Sequence, residues 1–268
     1  MHNIHLPMVS ADFQFCRRTI TYLLVFISIS LLESTSANDQ VTYLQNFCSD
    51  DGNNNQGSEF QNNLDLLLSN LTTQATANKF YNLTTGEGTN KVYGLFRCNN
   101  DYIDQVCQDC ILIAKGEIQR RCPLTKEAIV WYTECMLRYA NRNIFSVNDV
   151  SEFYNLASGP EKYSQYNQDL IDTFISLSHQ ATSGKSSTLS ATTVVYVSQE
   201  ISVACYVDCT PDLSASNCDK CLQTGIGRFQ TNGTQAGVLL QPSCRLMYSF
   251  TDSGLHPTGI QQLREANP

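Results

Sequence analysis

The sequence predicts an α+β protein of two tandem domains, each an antiparallel β-sheet packed against two α-helices and stapled by disulfides. Three observations predict it. The spacing Cys98-x8-Cys107-x2-Cys110 recurs as Cys209-x8-Cys218-x2-Cys221, offset by 111 residues. The flanks repeat with it: VYGLFRC ends at Cys98 and VACYVDC at Cys209, while CMLRY starts at Cys135 and CRLMY at Cys244. Each copy also carries an apolar stripe at helical spacing upstream of its strand-like segments.

Taken in order, residues 1–37 read as a secretory signal peptide. Arg17 and Arg18 form its positive region, 20–32 its apolar run, and Thr35-Ser36-Ala37 its small-residue cleavage site. The alternative, an uncleaved anchor, is opposed by length: the 13-residue run rises only ~20 Å as a helix, against ~30 Å of hydrocarbon. The long first region leaves Met8 as an alternative start. The first domain is expected over 38–147. Leu64, Leu67, Leu68 and Leu71 lie at i, i+3, i+4, i+7 and predict an amphipathic helix. A strand follows over Val92–Cys98. The C-x2-C opens a second helix with Ile111, Ala114 and Ile118 on one face, and strands run through 128–132 and 135–139. Residues 148–161 are expected as a linker region, with Ser158-Gly159-Pro160 as a turn signal.

The second domain, 162–258, repeats the plan. Leu170, Phe174 and Leu177 restate the stripe. Ile201–Cys209, 237–240 and 244–250 restate the strands. A polar tail, 259–268, carries neither a retention tetrapeptide nor an apolar anchor segment. Strands segregated from helices in each copy give the α+β class.

Twelve cysteines are present. Cys16 leaves with the signal peptide, so eleven remain. An exported chain meets an oxidising compartment, where paired cysteines form disulfides, each stabilising by ~2–4 kcal/mol. A zinc reading of the C-x2-C pairs competes with this. Only His179 and His256 would remain as partners, and neither sits at ligand spacing. Spacing alone does not fix the connectivity, because six cysteines allow fifteen pairings.

A formal net charge of −8 opposes nucleic acid and anionic membrane surfaces as partners, since both need a basic face. No Gly-rich phosphate loop, G-x-S-x-G or H-E-x-x-H occurs, so no catalytic, cofactor-binding or metal residue is assigned. Asp50-Asp51, with the asparagines that follow, lacks the alternation and closing Glu of a calcium loop. That segment and the Asp101/Asp104 pair read as solvated turns. Asn70, Asn82 and Asn232 head glycosylation sequons. Thirteen tyrosines and the lone Trp131 fit either half-buried packing or a sugar- or partner-binding face.

With C-x8-C-x2-C after a V-Y-G-L strand and a later Cys-x3-Tyr, each copy resembles the ginkbilobin-homologous domain of land plants. Two copies behind a signal peptide resemble the cysteine-rich repeat secretory proteins. The same pair forms the ectodomain of cysteine-rich receptor-like kinases and plasmodesmata-located proteins. The resemblance covers nearly all of the chain after residue 37. It implies the same sheet-on-two-helices fold and a pairing of first to fifth, second to third and fourth to sixth cysteine. In the first copy that is Cys48–Cys122, Cys98–Cys107 and Cys110–Cys135. In the second it is Cys209–Cys218 and Cys221–Cys244, the other two positions having lost cysteine together. Cys205, aligned with Gly94, is left over. It shares a strand face with Val207 and Cys209, and reads as a buried thiol, an intermolecular bridge or a re-paired cysteine.

The resemblance also points to a mannose site: an Asn just after the first cysteine, an Arg six residues before the last and a Glu five residues after it. Those positions hold Ser49, Ile129 and Ala140 here, and Val238 and Ser249 stand at the last two in the second copy. An apolar side chain supplies none of the donors of Arg, so mannose binding through that site is expected to be absent. The chain is expected to be a non-enzymatic, secreted, apoplastic interaction module for protein partners in defence or stress responses. The alternative is a cell-wall carbohydrate-binding or antifungal protein using another surface. With fewer bridges, the second copy is expected to unfold first.

Overall fold

The computed structural model describes residues 41–50, 58–184 and 188–252. The expected signal peptide, residues 51–57 of the oxygen-rich segment, His256 and the tail 259–268 lie outside the described residues.

The first half runs β1 (Tyr43–Cys48), α1 (Glu59–Gln74), β2 (Phe80–Thr85), β3 (Val92–Cys98), α2 (Asp104–Arg121), β4 (Glu127–Tyr132) and β5 (Cys135–Ala140). Its strands form one antiparallel sheet in the order β1-β4-β5-β3-β2. Helix α1 starts where Ser58 Oγ accepts from Gln61 N at 3.2 Å, satisfying one of the free donors of the first turn. Its leucine stripe is buried against the sheet. Gly94 on β3 permits that contact: a Cβ there would stand 2.3 Å from Leu67 Cδ2.

The second half runs β6 (Tyr154–Ser158), α3 (Asn167–Thr182), β7 (Ser190–Tyr196), β8 (Ile201–Cys209), α4 (Ala215–Arg228), β9 (Ala236–Leu240) and β10 (Cys244–Asp252). The sheet order, β6-β9-β10-β8-β7, matches strand for strand. The segment expected as linker, 148–161, therefore contains a strand. β6 pairs with β9 from Tyr154↔Leu240 to Ser158↔Ala236. The turn signal itself is real, since Gly159 follows β6 at φ +78°. It marks the exit from a strand, not the middle of a linker.

Period-two alternation gives each sheet two different faces. Val92, Phe96, Val130 and Leu137 face the helices in the first half, and Val203, Val207, Leu239 and Leu246 do so in the second. The opposite faces pack on each other in a third core that joins Leu95, Ile129, Trp131 and Met136 to Tyr206, Val238, Leu240 and Met247. The order of layers is helices, sheet, sheet, helices. Strands covered on both sides read as continuous apolar runs, and β4 (EAIVWY) and β9 (AGVLL) do.

Candidate functional site

The positions that would hold mannose in the resembling family lie at the junction of the two sheets. Ile129, Ala140 and Val238 belong to the third core and are fully or almost fully buried, and Ser249 is buried beside them. Ser49 follows the end of β1, where its N donates to Glu127 O at 2.9 Å and its Oγ accepts from Glu127 N at 3.2 Å, and Glu127 in turn stands opposite Ala140. The face is thus closed by the other sheet as well as altered in sequence.

The same junction holds a buried charge cluster. Arg97 and Asp208 are equivalent residues, each preceding the cysteine that ends its strand, and they meet as an ion pair across the two sheets. Arg245 grips the same carboxylate from β10, Nε to Oδ1 at 3.2 Å and Nη2 to Oδ2 at 3.0 Å. Its Nη1 donates to the carbonyls of Tyr132 and Thr133 in the first half at 3.1 and 3.0 Å. Tyr206 Oη adds a hydrogen bond to Asp208 Oδ2 at 3.0 Å. Burial alone would raise the Asp208 pKa, but the Arg245 and Arg97 guanidiniums outweigh it and hold the group at about 2.

A second cluster ties the connection between the halves. Arg138 Nη2 donates to Glu127 Oε1 at 2.7 Å and to Asp149 Oδ2 at 2.6 Å, and Arg142 reaches both carboxylates at 2.9 Å. Asp149 N donates to Ser243 Oγ at 2.8 Å, in the turn between β9 and β10. Burial pushes the Asp149 carboxyl up, but Arg138, Ser151 and Arg142 more than offset this and keep it well below the usual carboxylate range. Sequence reasoning missed both clusters. The one available signal was the paired flank ending, Arg97-Cys98 against Asp208-Cys209, where one strand position carries opposite charges in the two copies.

Among the described residues five disulfides are present: Cys48–Cys122, Cys98–Cys107, Cys110–Cys135, Cys209–Cys218 and Cys221–Cys244. Cys205 is a buried free thiol. It stands opposite Tyr248 as Gly94 stands opposite Tyr139. Desolvation pushes its pKa up to about 12, so it is a neutral thiol and a weak nucleophile at physiological pH. His179 is exposed on α3. Among the described residues, no group of three or more His, Cys, Asp or Glu side chains is placed to hold a metal ion. Nor is any helix among them long and apolar enough to cross a membrane.

The sequon asparagines fall in different settings. Asn70 is exposed on α1, and Asn82 is half-buried on the edge strand β2. Asn232 is exposed in a turn at φ +47°, while the hydroxyl of its sequon Thr234 is buried 2.7 Å from Tyr248 Oη. Asp50 is exposed, and Asp101 and Asp104 flank the start of α2, where Lys79 Nζ lies 3.2 Å from Asp104. A cleft of about 550 Å³ is lined by Gln61, Asp65, Gln119, Pro123, Leu124 and Tyr139, among others. Asp65 Oδ1 accepts from Gln61 and Gln119 at 3.1 and 3.0 Å. Leu124 lines it at φ +60°, where the second half has Gly233 at φ +68°. A leucine at that angle carries backbone strain that the glycine does not.

Comparison with known proteins places this geometry. The chain is 32% identical to cysteine-rich repeat secretory protein 1 of Arabidopsis thaliana over 238 residues, covering 87% of this chain and 68% of that protein. It is 30% identical to cysteine-rich receptor-like protein kinase 25 of the same plant, but spans only 35% of that kinase's length. The tandem DUF26 ectodomain of the Arabidopsis thaliana receptor-like protein PDLP8 has the same fold. The TM-score is 0.64 at 24% identity, covering 80% of this chain and 99% of that one. The PDLP5 ectodomain gives a TM-score of 0.63, also at 24% identity, covering 78% and 98%. The Stress-antifung profile, described as salt stress response/antifungal, matches residues 47–142 and again 154–251, and the chain belongs to that family as a tandem pair.

Proposed function

We propose that the chain acts as a secreted, apoplastic interaction module that binds a protein partner in defence or stress responses, without catalysing a reaction. The burial of Ile129, Ala140 and Val238 between the sheets supports this most directly. With that face committed to internal packing, a ligand must be met on the outer surfaces of the two halves. The neutral, buried Cys205 offers no activated nucleophile, which fits a binding role. Residues 1–37 act as a cleaved signal peptide in this reading, and Asn70, Asn82 and Asn232 are the candidate glycan acceptors. Intact mass of the secreted chain, native and reduced, reads the cleavage site, glycan number and free thiol together. The test of the module is crosslinked affinity capture from apoplastic fluid with the whole secreted chain. A saturable protein partner is expected, and recovery of none contradicts the proposal.

One observation favours a second reading, a cell-wall glycan ligand bound outside the family mannose positions. The cleft beside Asp65 combines amides and a carboxylate with apolar walls, a donor set suited to hydroxyl pairs. Glycan binding lost in Asp65→Ala, with the fold retained, is the result that reading expects. A glycan array with no hits removes it.

A further inference from the structure

The described disulfides differ in how far solvent reaches them. Of the ten bridged cysteines nine are buried, while Cys48, at the end of β1, is half-buried. An external thiol breaks a disulfide only by reaching one of its sulfurs, so Cys48 Sγ is the accessible point of attack among the described bridges. A second observation falls on the same bridge. Asn46 Nδ2 donates to both of its sulfurs, at 3.3 Å to Cys48 and 3.8 Å to Cys122. A donor so placed stabilises whichever sulfur leaves as a thiolate. The second half shows that the fold does without this bridge. Ala157 and Thr231 stand at its positions, and Asn155, the equivalent of Asn46, is turned to the backbone instead.

We propose that Cys48–Cys122 is a redox switch, opened by small extracellular thiols while the chain stays folded. A thiolate bonds to Cys48 Sγ, the Cys48–Cys122 bond breaks, and its electron pair leaves on Cys122 Sγ, which takes up a proton. A second thiolate attacks the sulfur of the first and releases Cys48, which is protonated in turn. The bridge is reduced to a pair of thiols, and the two small thiols leave oxidised as one disulfide, their protons passing to the cysteines. The other bridges belong to the cores beneath the helices and are reached only by unfolding. Cys122 caps the end of α2 and lines the cleft with Pro123 and Leu124. Opening the bridge therefore frees that wall of the cleft from β1. Neither cysteine belongs to the sheet-on-sheet junction, so the halves stay joined in both states.

Titration of the whole secreted chain with reduced glutathione at neutral pH tests this, with free thiols alkylated and mapped by mass and hydrogen exchange followed in parallel. Cys48 and Cys122 are expected to be labelled first and together, while the buried bridges and Cys205 stay unlabelled. Amides of β1 and of residues 119–124 then exchange faster, those of the second half do not change, and oxidised glutathione reverses both effects. In the double variant Cys48→Ser with Cys122→Ser, the early labelled pair disappears and those same amides exchange fast without glutathione. Release of all bridges together as the chain unfolds overturns the proposal. So does a buried bridge opening first, or release of Cys48 and Cys122 that leaves exchange at 119–124 unchanged.

Discussion

Among the described residues the two halves share every strand and α-helix, yet they secure the first strand of the sheet differently. In the first half Cys48, at the end of β1, is bonded to Cys122 at the end of α2, and Asn46 Nδ2 lies 3.3 Å from Cys48 Sγ. In the second half the matching positions are Ala157 and Thr231. There Asn155, the register equivalent of Asn46, takes over the tie. Its Nδ2 donates to Arg228 O at 3.1 Å and its Oδ1 accepts from Gln230 N at 3.3 Å. A second exchange concerns volume. Gly94 leaves room for Leu67 in the first half, whereas Cys205 faces a stripe in which the smaller, half-buried Thr173 stands at the position of Leu67. The fold requires a tie and a filled layer at these places, and either chemistry meets the requirement.

The magnitudes decide whether the missing bridge lets the second half open alone. One bridge is worth ~2–4 kcal/mol. Opening either half exposes the junction, where Trp131, Ile129, Val238, Leu240 and Met247 are buried, and each fully buried large side chain contributes ~1.5–3 kcal/mol. It also strips Asp208 of Arg97. The junction outweighs the bridge, so the halves are expected to unfold as one unit despite their unequal staples.

The largest expected effect comes from Asp208→Ala. It leaves Arg97 and Arg245 buried without a counter-charge and should cost ~3–5 kcal/mol in denaturant unfolding. A loss below ~1 kcal/mol would mean the cluster is not load-sharing between the halves. The pH dependence follows the same group. Its folded pKa of about 2 lies below the ordinary 3.8, so its stabilisation is complete above the ordinary value and disappears as pH falls through about 2. The ties come next. Replacing Cys48 and Cys122 together by Ser should cost ~2–4 kcal/mol, whereas Asn155→Ala should cost ~1–2 kcal/mol for two hydrogen bonds. Equal losses would remove the distinction between the ties. The smallest effect concerns Cys205. Native alkylation at neutral pH should leave it unmodified, with full labelling after unfolding. Rapid native labelling would contradict its burial.

Much of this fold was legible in the sequence. The leucine stripe, the C-x2-C helices and the central strands β3, β4, β5, β8, β9 and β10 carry strong apolar patterns and repeat between copies. The outer strands β1, β2, β6 and β7 did not stand out. They are only half-buried and mix polar with apolar residues, as in YLQNFC and YNLAS. The sheet-on-sheet junction left one trace, the unbroken apolar runs of β4 and β9. Its charges left almost none, because Arg97, Asp208 and Arg245 look like solvent-facing residues until the two sheets meet. The altered mannose positions were readable as substitutions, but their closure by the opposite sheet depends on packing between residues more than a hundred positions apart.

The central claim is that the two sheets form one sealed unit, and native-state hydrogen exchange of the secreted chain tests it most directly. The claim predicts that amides of β4 and β5 and those of β9 and β10 open with the same free energy, and that Asp208→Ala lowers both sets together. Exchange of β9 and β10 at a distinctly lower free energy, with β4 and β5 still protected, would contradict it.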